Sequence, residues 1–159
     1  MSRRQVEMAF KSTLDKLVND LAAELSAAAP SANPVRAFDL DDATNERQWQ
    51  AGTEHALAYQ YTLLSEAPRH PLYDVTFLVG AKTTDDAGNY AMTDLITDLG
   101  DLFKSGDSFE LFDYSEVEEG QDPGEQIGVL VIGSVDTGPQ MFEKQSGIRL
   151  LQIEGKVIA

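Results

Sequence analysis

The chain has no cysteine among its 159 residues, which removes disulfides, thiolate metal sites and cysteine nucleophiles. Either redox environment tolerates that absence, so it leaves the compartment open. Basic residues are scarce: 12 Lys and Arg stand against 27 Asp and Glu, a formal net charge of -15. A surface of that sign repels a phosphate backbone, so groove binding of nucleic acid through basic contacts is disfavoured. A negatively charged channel that nucleic acid only passes through is compatible with it. A long apolar run is also missing from the first 29 residues, MSRRQVEMAFKSTLDKLVNDLAAELSAAA, where Glu7, Asp15, Asp20 and Glu24 interrupt the pattern. That is neither a signal peptide core nor a membrane span, and a soluble protein is expected.

What is present suffices for one folded domain over residues 1–159. The hydrophobic fraction is 42% and the charged fraction 25%, which fits a packed core and argues against global disorder. Val6, Phe10, Leu14, Leu17, Leu21 and Leu25 recur at three- and four-residue steps, predicting an amphipathic helix over about 5–28 that ends at Pro30. PVRAFDLDD predicts a short strand from Val35 to Leu40, and the polar TNERQWQAGTEH reads as a loop or irregular edge segment. Its Trp49, the single tryptophan, is either a core plug or an interface anchor.

ALAYQYTLLSE and LYDVTFLVGAKTT alternate as strands do, with Val75, Phe77, Val79 and Ala81 on one face of the second. Met92, Leu95, Ile96, Leu99 and Leu102 predict a second amphipathic helix, capped by Asp86 or Asn89. SFELFDY and IRLLQIEGKVIA read as further strands. IGVLVIGSVD is apolar on both faces, as expected of a central strand or of one whose second face meets another subunit. TGPQMFEKQSG is the connection to the last strand. The predicted architecture is α+β, a mainly antiparallel β-sheet with two amphipathic helices packed on one face.

Chemistry is hard to find in this pattern. His55 and His70 lie in no HExxH arrangement, and a metal site on either needs distant carboxylates, so exposed or hydrogen-bonded histidines are expected. Serine occupies no GxSxG elbow, and GSVDTG lacks the features of a phosphate loop. Asp94, Asp98 and Asp101 form a helical stripe opposite the leucines, where a solvated face belongs. DTG at 136–138 matches the tripeptide of aspartic proteases and would require a dimer that pairs two Asp136 carboxylates. The stretch FDYSEVEEGQDPGEQ at 112–126 holds six acids and no base, including Glu116, Glu118 and Glu119. It fails the calcium-loop pattern, and Gly120 with the Pro-Gly pair at 123–124 marks an exposed connector at 115–126. No catalytic residue, metal or cofactor is expected.

The ordering of these elements is similar to that of tail terminator proteins of long-tailed bacteriophages. An N-terminal helix, a stretch of sheet, the NYAMTDLITDLGDLF helix and a closing strand ending GIRLLQIEGKVIA carry the resemblance from about residue 5 onward. It rests on pattern and length, and related head–tail completion proteins share both. The resemblance implies a non-enzymatic virion assembly protein, self-associated into a ring, commonly a hexamer. Such a ring caps the tail tube, stops polymerisation of the major tail tube protein and joins head–tail connector proteins. DNA passes through it without sequence-specific binding, and no membrane is involved. Its implied location is the virion tail or neck, after assembly in the host cytoplasm. The loop at 115–126 and the GSVDTGPQMFEKQSG connection are longer than that pattern.

A ring needs two different complementary patches per subunit. Candidate contact residues are Trp49, Tyr59, Tyr61, Val129 and Val131. Candidates for an acidic channel or docking surface are Asp94, Asp98, Asp101, Glu116, Glu118 and Glu119. The alternatives are a neighbouring neck protein, a small aspartic-type protease built on Asp136, or an unrelated binding module.

Overall fold

The computed structural model describes residues 3–28, 35–51, 55–66, 72–83, 92–115, 117–118, 120–139, 141–143 and 146–159. The elements run α1 (Arg3–Ala28), β1 (Arg36–Asp39), α2 (Ala43–Ala51), β2 (Ala56–Glu66), β3 (Leu72–Thr83), α3 (Met92–Leu102), β4 (Ser108–Leu111), β5 (Gly128–Thr137), β6 (Met141–Glu143) and β7 (Ser146–Ile158). The expected α+β class holds. The strands form one sheet in the order β1-β2-β3-β7-β5-β4, with β6 paired to β7. Every pairing is antiparallel except β1 with β2, which is parallel.

Both predicted helices lie on one face of this sheet. In α1 the side chains of Val6, Ala9, Phe10, Leu14 and Val18 are buried, and in α3 those of Met92, Leu95 and Leu99. They join Leu57, Val75, Phe77, Val79, Leu130, Ile132, Leu151, Ile153 and Val157 in a single core. A chain of aromatic rings runs through it, Tyr61–Phe10–Phe77–Phe103–Phe109, with successive centroids 5.3, 5.5, 5.6 and 5.7 Å apart. The rings meet tilted or edge-on, the arrangement favoured by the ring quadrupole and worth about 1 kcal/mol per pair beyond burial. This series ties α1 to β2, β3, the end of α3 and β4.

Three expectations need correction. ATNERQWQA is not a loop but the nine-residue helix α2. Asp42 caps it, its carboxylate accepting the N–H groups of Thr44 at 2.9 Å and Asn45 at 3.0 Å. These bonds hold the Asp42 carboxyl below the usual carboxylate range, the backbone bond from Asn45 contributing most. Second, α2 packs on the face opposite α1 and α3, where Trp49 meets Phe38, Ala56, Ala58 and Ile148 in a separate small cluster. Third, the 137–146 connection contains β6, so β5 and β7 are joined by an extended hairpin.

The β2 register shifts at a bulge between Tyr61 and Leu63, which places Leu64 rather than Leu63 opposite Val75. The proposed caps Asp86 and Asn89 lie outside the described residues. No described helix is long and apolar enough to cross a membrane.

Candidate functional site

The strand registers lay out the face that α1 and α3 do not cover. Glu110, Val129, Ile158 and Leu72 form one row across β4, β5, β7 and β3. Ser108, Val131, Lys156 and Asp74 form the next. Ser134, Glu154 and Thr76 follow, then Asp136, Gln152 and Leu78. Beyond that row α2 takes over the surface.

Residues on this uncovered area share the strands of the core but not its burial. Val129, Val131, Leu72 and Leu78 are half-buried. Ile158 is 49% exposed, and Met141 at the nearby β6 edge is 48% exposed. The alternation in β5 is therefore core-side buried and far-side half-buried. A strand apolar on both sides, with only one side packed in the subunit, accounts for the run IGVLVIG. The charged members are mostly acids, Glu110, Asp74, Glu154 and Asp136. Lys156 donates to Asp74 at 3.0 Å in an exposed ion pair.

The sequence-derived contact residues separate here. Val129 and Val131 stand on the uncovered face. Tyr59 and Tyr61 do not: they point toward α1, with Tyr59 6% exposed and Tyr61 against Phe10 and under Lys11. The Tyr59 hydroxyl donates to Asp15, and burial first, then Asp15, pushes its pKa far up. Trp49 is 6% exposed and held edge-on to Phe38, so its ring is used inside the subunit. Of the two options for Trp49, the structure places it as a core plug.

The acidic candidates also divide. Asp94 and Asp101 are exposed on α3, Asp101 lying 3.5 Å from Lys104. Asp98 is half-buried, and desolvation, then Asp101, Asp94 and Glu24, raises its pKa. Glu118 is exposed beside α1, at a groove of about 490 Å³ that also takes in Asp15, Asp20 and Tyr114. Glu116 and Glu119 lie outside the described residues, as does His70.

The acidic loop itself is built by local turns. Asp113 accepts from the Ser115 N–H and hydroxyl at 3.0 and 2.6 Å, and Asp122 accepts from the Gly124 N–H at 2.9 Å. Gly120 and Gly124 take φ of 84° and 85°, the left-handed region these turns require. Two of its six acids therefore shape the backbone. No group of acids or histidines among the described residues is arranged to hold a metal ion.

The remaining chemical candidates resolve into structure. His55 Nδ1 lies 2.6 Å from the Thr83 hydroxyl. Asp136 is exposed within β5, opposite Gln152, and the DTG tripeptide runs to the end of the strand, where the Gly138 N–H donates across to the Leu150 carbonyl of β7 at 2.9 Å.

The uncovered face includes residues that the sequence reading missed: Leu72, Asp74, Leu78, Glu154 and Ile158. The signal was the second phase of the alternation in LYDVTFLV, which is as apolar at Leu72 and Leu78 as a solvated face would not be.

No family model matches the chain, and no curated protein matches it. Solved structures do match. One, a protein without a functional name, superposes with a TM-score of 0.54 at 15% identity, covering 100% of this chain and 97% of the other. At that identity the likeness speaks to the fold alone.

Proposed function

We propose that this chain is a non-enzymatic ring subunit that ends the tail tube of a long-tailed bacteriophage and offers the surface on which the head is joined. The observation that carries the reading is the half-exposed apolar face of the sheet. Among the described residues no element covers Val129, Val131 and Ile158, on a sheet whose other face is packed by two helices. Val129, Ile158 and Leu72 adjoin in one row with Val131 beside them, and an open apolar patch rimmed by polar residues marks an interaction site. Two rows over four strands and two over three cover roughly 450 Å², taking ~4.8 Å between strands and ~6.8 Å between rows on one face. With an equal area on the partner, the total is about 900 Å², the size of a weak contact that the ring's repeated copies and the tube end would reinforce.

The resemblance in element order supplies the biological setting, and the charge of -15 suits a channel that DNA must traverse without sticking. In this reading the partners are further copies of the chain, the tail tube protein and a head–tail connector protein. Val129 and Val131 belong to the contact, and the acids of α3 with Glu118 border the channel or a docking surface.

The test is sedimentation velocity and negative-stain microscopy of the full chain, alone and with tail tubes. Closed rings, or caps at tube ends, support the reading. The Val129→Asp/Val131→Asp variant should stay folded and lose them. A wild-type chain that remains monomeric at high concentration and leaves tube ends bare and growing would overturn it.

A further inference from the structure

The outer side of α1 borders two hollows that join. In the first, of about 330 Å³, Met8, Lys11 and Asp15 face Tyr61 of β2 and the carboxylates of Asp39 and Asp41 at the end of β1. The second is the groove of about 490 Å³ between α1 and the acidic loop. Ser12, Asp15 and Ser115 line both, so the two make one trough along α1 from Met8 to Asp20. That stretch of helix is ~18 Å long.

Carboxylates dominate its walls. Asp15, Asp20, Asp39, Asp41 and Glu118 stand against Lys11 and Lys16. Both lysines are engaged within the chain: Lys11 Nζ lies 4.8 Å from the Tyr61 ring centroid, and Lys16 donates to Asp20 at 2.7 Å. Among the described residues, no ion pair includes Asp15, Asp39, Asp41 or Glu118. Asp39 accepts the Asp41 N–H at 2.9 Å through one oxygen, and Asp41 accepts the Tyr61 N–H at 2.8 Å through one of its own. Each keeps a second oxygen for a guest. Burial first, then Asp41 and Asp15, holds the Asp39 carboxyl above the usual range despite the Asp41 N–H and Lys11. Met8, 37% exposed, and the Tyr61 ring supply an apolar wall for the stem of a long cationic side chain.

We propose that this trough receives an extended segment of a partner protein that carries Arg or Lys at alternate positions. An extended chain advances ~3.3 Å per residue, so the trough takes about five or six residues. Alternation turns every second side chain to the same side, which brings about three cations to the carboxylates. A second copy of this chain does not fit the description. No two of its bases stand two positions apart, and its one adjacent pair, Arg3–Arg4, is helical. Nucleic acid is repelled by the same carboxylates that attract a basic peptide. The contact does not depend on the ring reading, because the trough lies on the α1 layer and Val129 and Val131 lie on the other face of the sheet.

The full-length chain, titrated into a fluorescently labelled peptide of three Arg-Ser repeats and followed by anisotropy, provides the test. Asp39→Asn/Asp41→Asn/Glu118→Gln should weaken binding by about tenfold or more. Asparagine retains an acceptor oxygen for the two N–H groups, and circular dichroism checks the fold. The control variant Glu110→Gln/Asp136→Asn/Glu154→Gln removes as much charge from the uncovered sheet face and should bind as the wild type does. A peptide with Gln in place of Arg should not bind. Equal weakening by both triple variants would reduce the effect to net charge and overturn the proposal. Unchanged affinity in the trough variant, or no binding by the wild type, would overturn it as well. Spermine held as tightly as the peptide would rule against an extended protein segment as the occupant.

Discussion

Lys82 Nζ lies 2.5 Å from the carbonyl oxygen of Trp49 and 5.4 Å from the centroid of its indole ring. Lys82 is 2% exposed, so this cation sits in the interior beneath α2. The Trp49 carbonyl is in the last turn of that helix, where backbone acceptors have no partner within the helix. A lysine on such a carbonyl satisfies the acceptor and complements the negative end of the helix dipole. The ammonium of a central strand thereby anchors a short helix of low intrinsic stability to the sheet.

Replacing Lys82 with Met keeps most of the aliphatic volume and removes the donor. The orphaned carbonyl should cost about 2 kcal/mol. Urea unfolding followed by fluorescence reads this directly, because Trp49 is the single tryptophan. The emission should also shift to the red in the folded variant as α2 loosens. Unchanged stability with unchanged emission would mean that the ammonium does not hold the helix.

Gly155 stands in β7 between Val75 of β3 and Ile132 of β5, just beside the bulge in β5. A Cβ at this position would lie 2.6 Å from the Val131 carbonyl oxygen and 3.4 Å from Leu130 Cδ1. The first distance is backbone and cannot yield without moving β5. Gly155→Val should therefore destabilise by about 2 kcal/mol despite the β propensity of valine. Thermal unfolding gives the comparison, and a variant as stable as the parent would show that the close approach at the bulge is relaxed in solution.

How far the sequence revealed this arrangement depended on whether the signal was local. The long helix and Met92–Leu102 were legible because their leucines repeat with helical period over many residues. The strands Ala56–Glu66 and Leu72–Thr83 were legible from two-residue alternation. Helix α2 was not, since its nine residues present Trp49 as the one large apolar side chain and give no periodicity. Its start signal was present in Asp42, whose carboxylate caps the helix. The placement of β7 between β3 and β5 depends on long-range pairing that no local pattern encodes. Of the contact candidates, Val129 and Val131 were found because both phases of IGVLVIG are apolar. Tyr59 and Tyr61 share the phase of Leu57, which the sheet turns toward α1, so their aromatic character served the core. Asp74 and Glu154 went unnoticed because an acid on a strand is ordinary until its neighbours across the sheet are known.

Thr13 fastens α1 to the strand that leads into the acidic loop. Its hydroxyl donates to the Phe112 carbonyl at 3.1 Å and accepts the Phe112 N–H at 3.2 Å. Ser12 supports the same segment, donating to Phe112 at 3.1 Å and accepting the Tyr114 N–H at 3.0 Å. Thr13 is 5% exposed, so water does not readily replace its hydroxyl. Thr13→Val preserves shape and leaves the Phe112 N–H without this acceptor, a loss of about 1–2 kcal/mol. Thr13→Ser should recover most of it. Hydrogen exchange at Phe112 should accelerate in the valine variant and remain slow in the serine one. Equal protection in both would argue that the attachment comes from α1 packing rather than the hydroxyl.

Asp98 gives a pH-dependent test with a defined sign. Desolvation, reinforced by Asp101, Asp94 and Glu24, raises its folded pKa above the ordinary 3.8. Between 3.8 and that raised value the folded chain binds the proton more tightly than the unfolded chain. Stability therefore falls as pH rises through this window, and the ionised carboxylate is a net cost at neutral pH. Asp98→Asn keeps the shape and removes the charge, so it should stabilise at pH 7 by on the order of 0.3 kcal/mol, the size discounted because solvent reaches and screens the half-buried side chain. The gain should shrink in high salt, which screens Glu24, Asp94 and Asp101. It should also fade as pH drops below the ordinary carboxylate value, where the wild-type group is neutral as well. Urea midpoints of the two proteins measured across pH decide it: a variant less stable at pH 7, or one whose advantage persists unchanged in acid, would show that the Asp98 carboxylate is compensated in the folded chain.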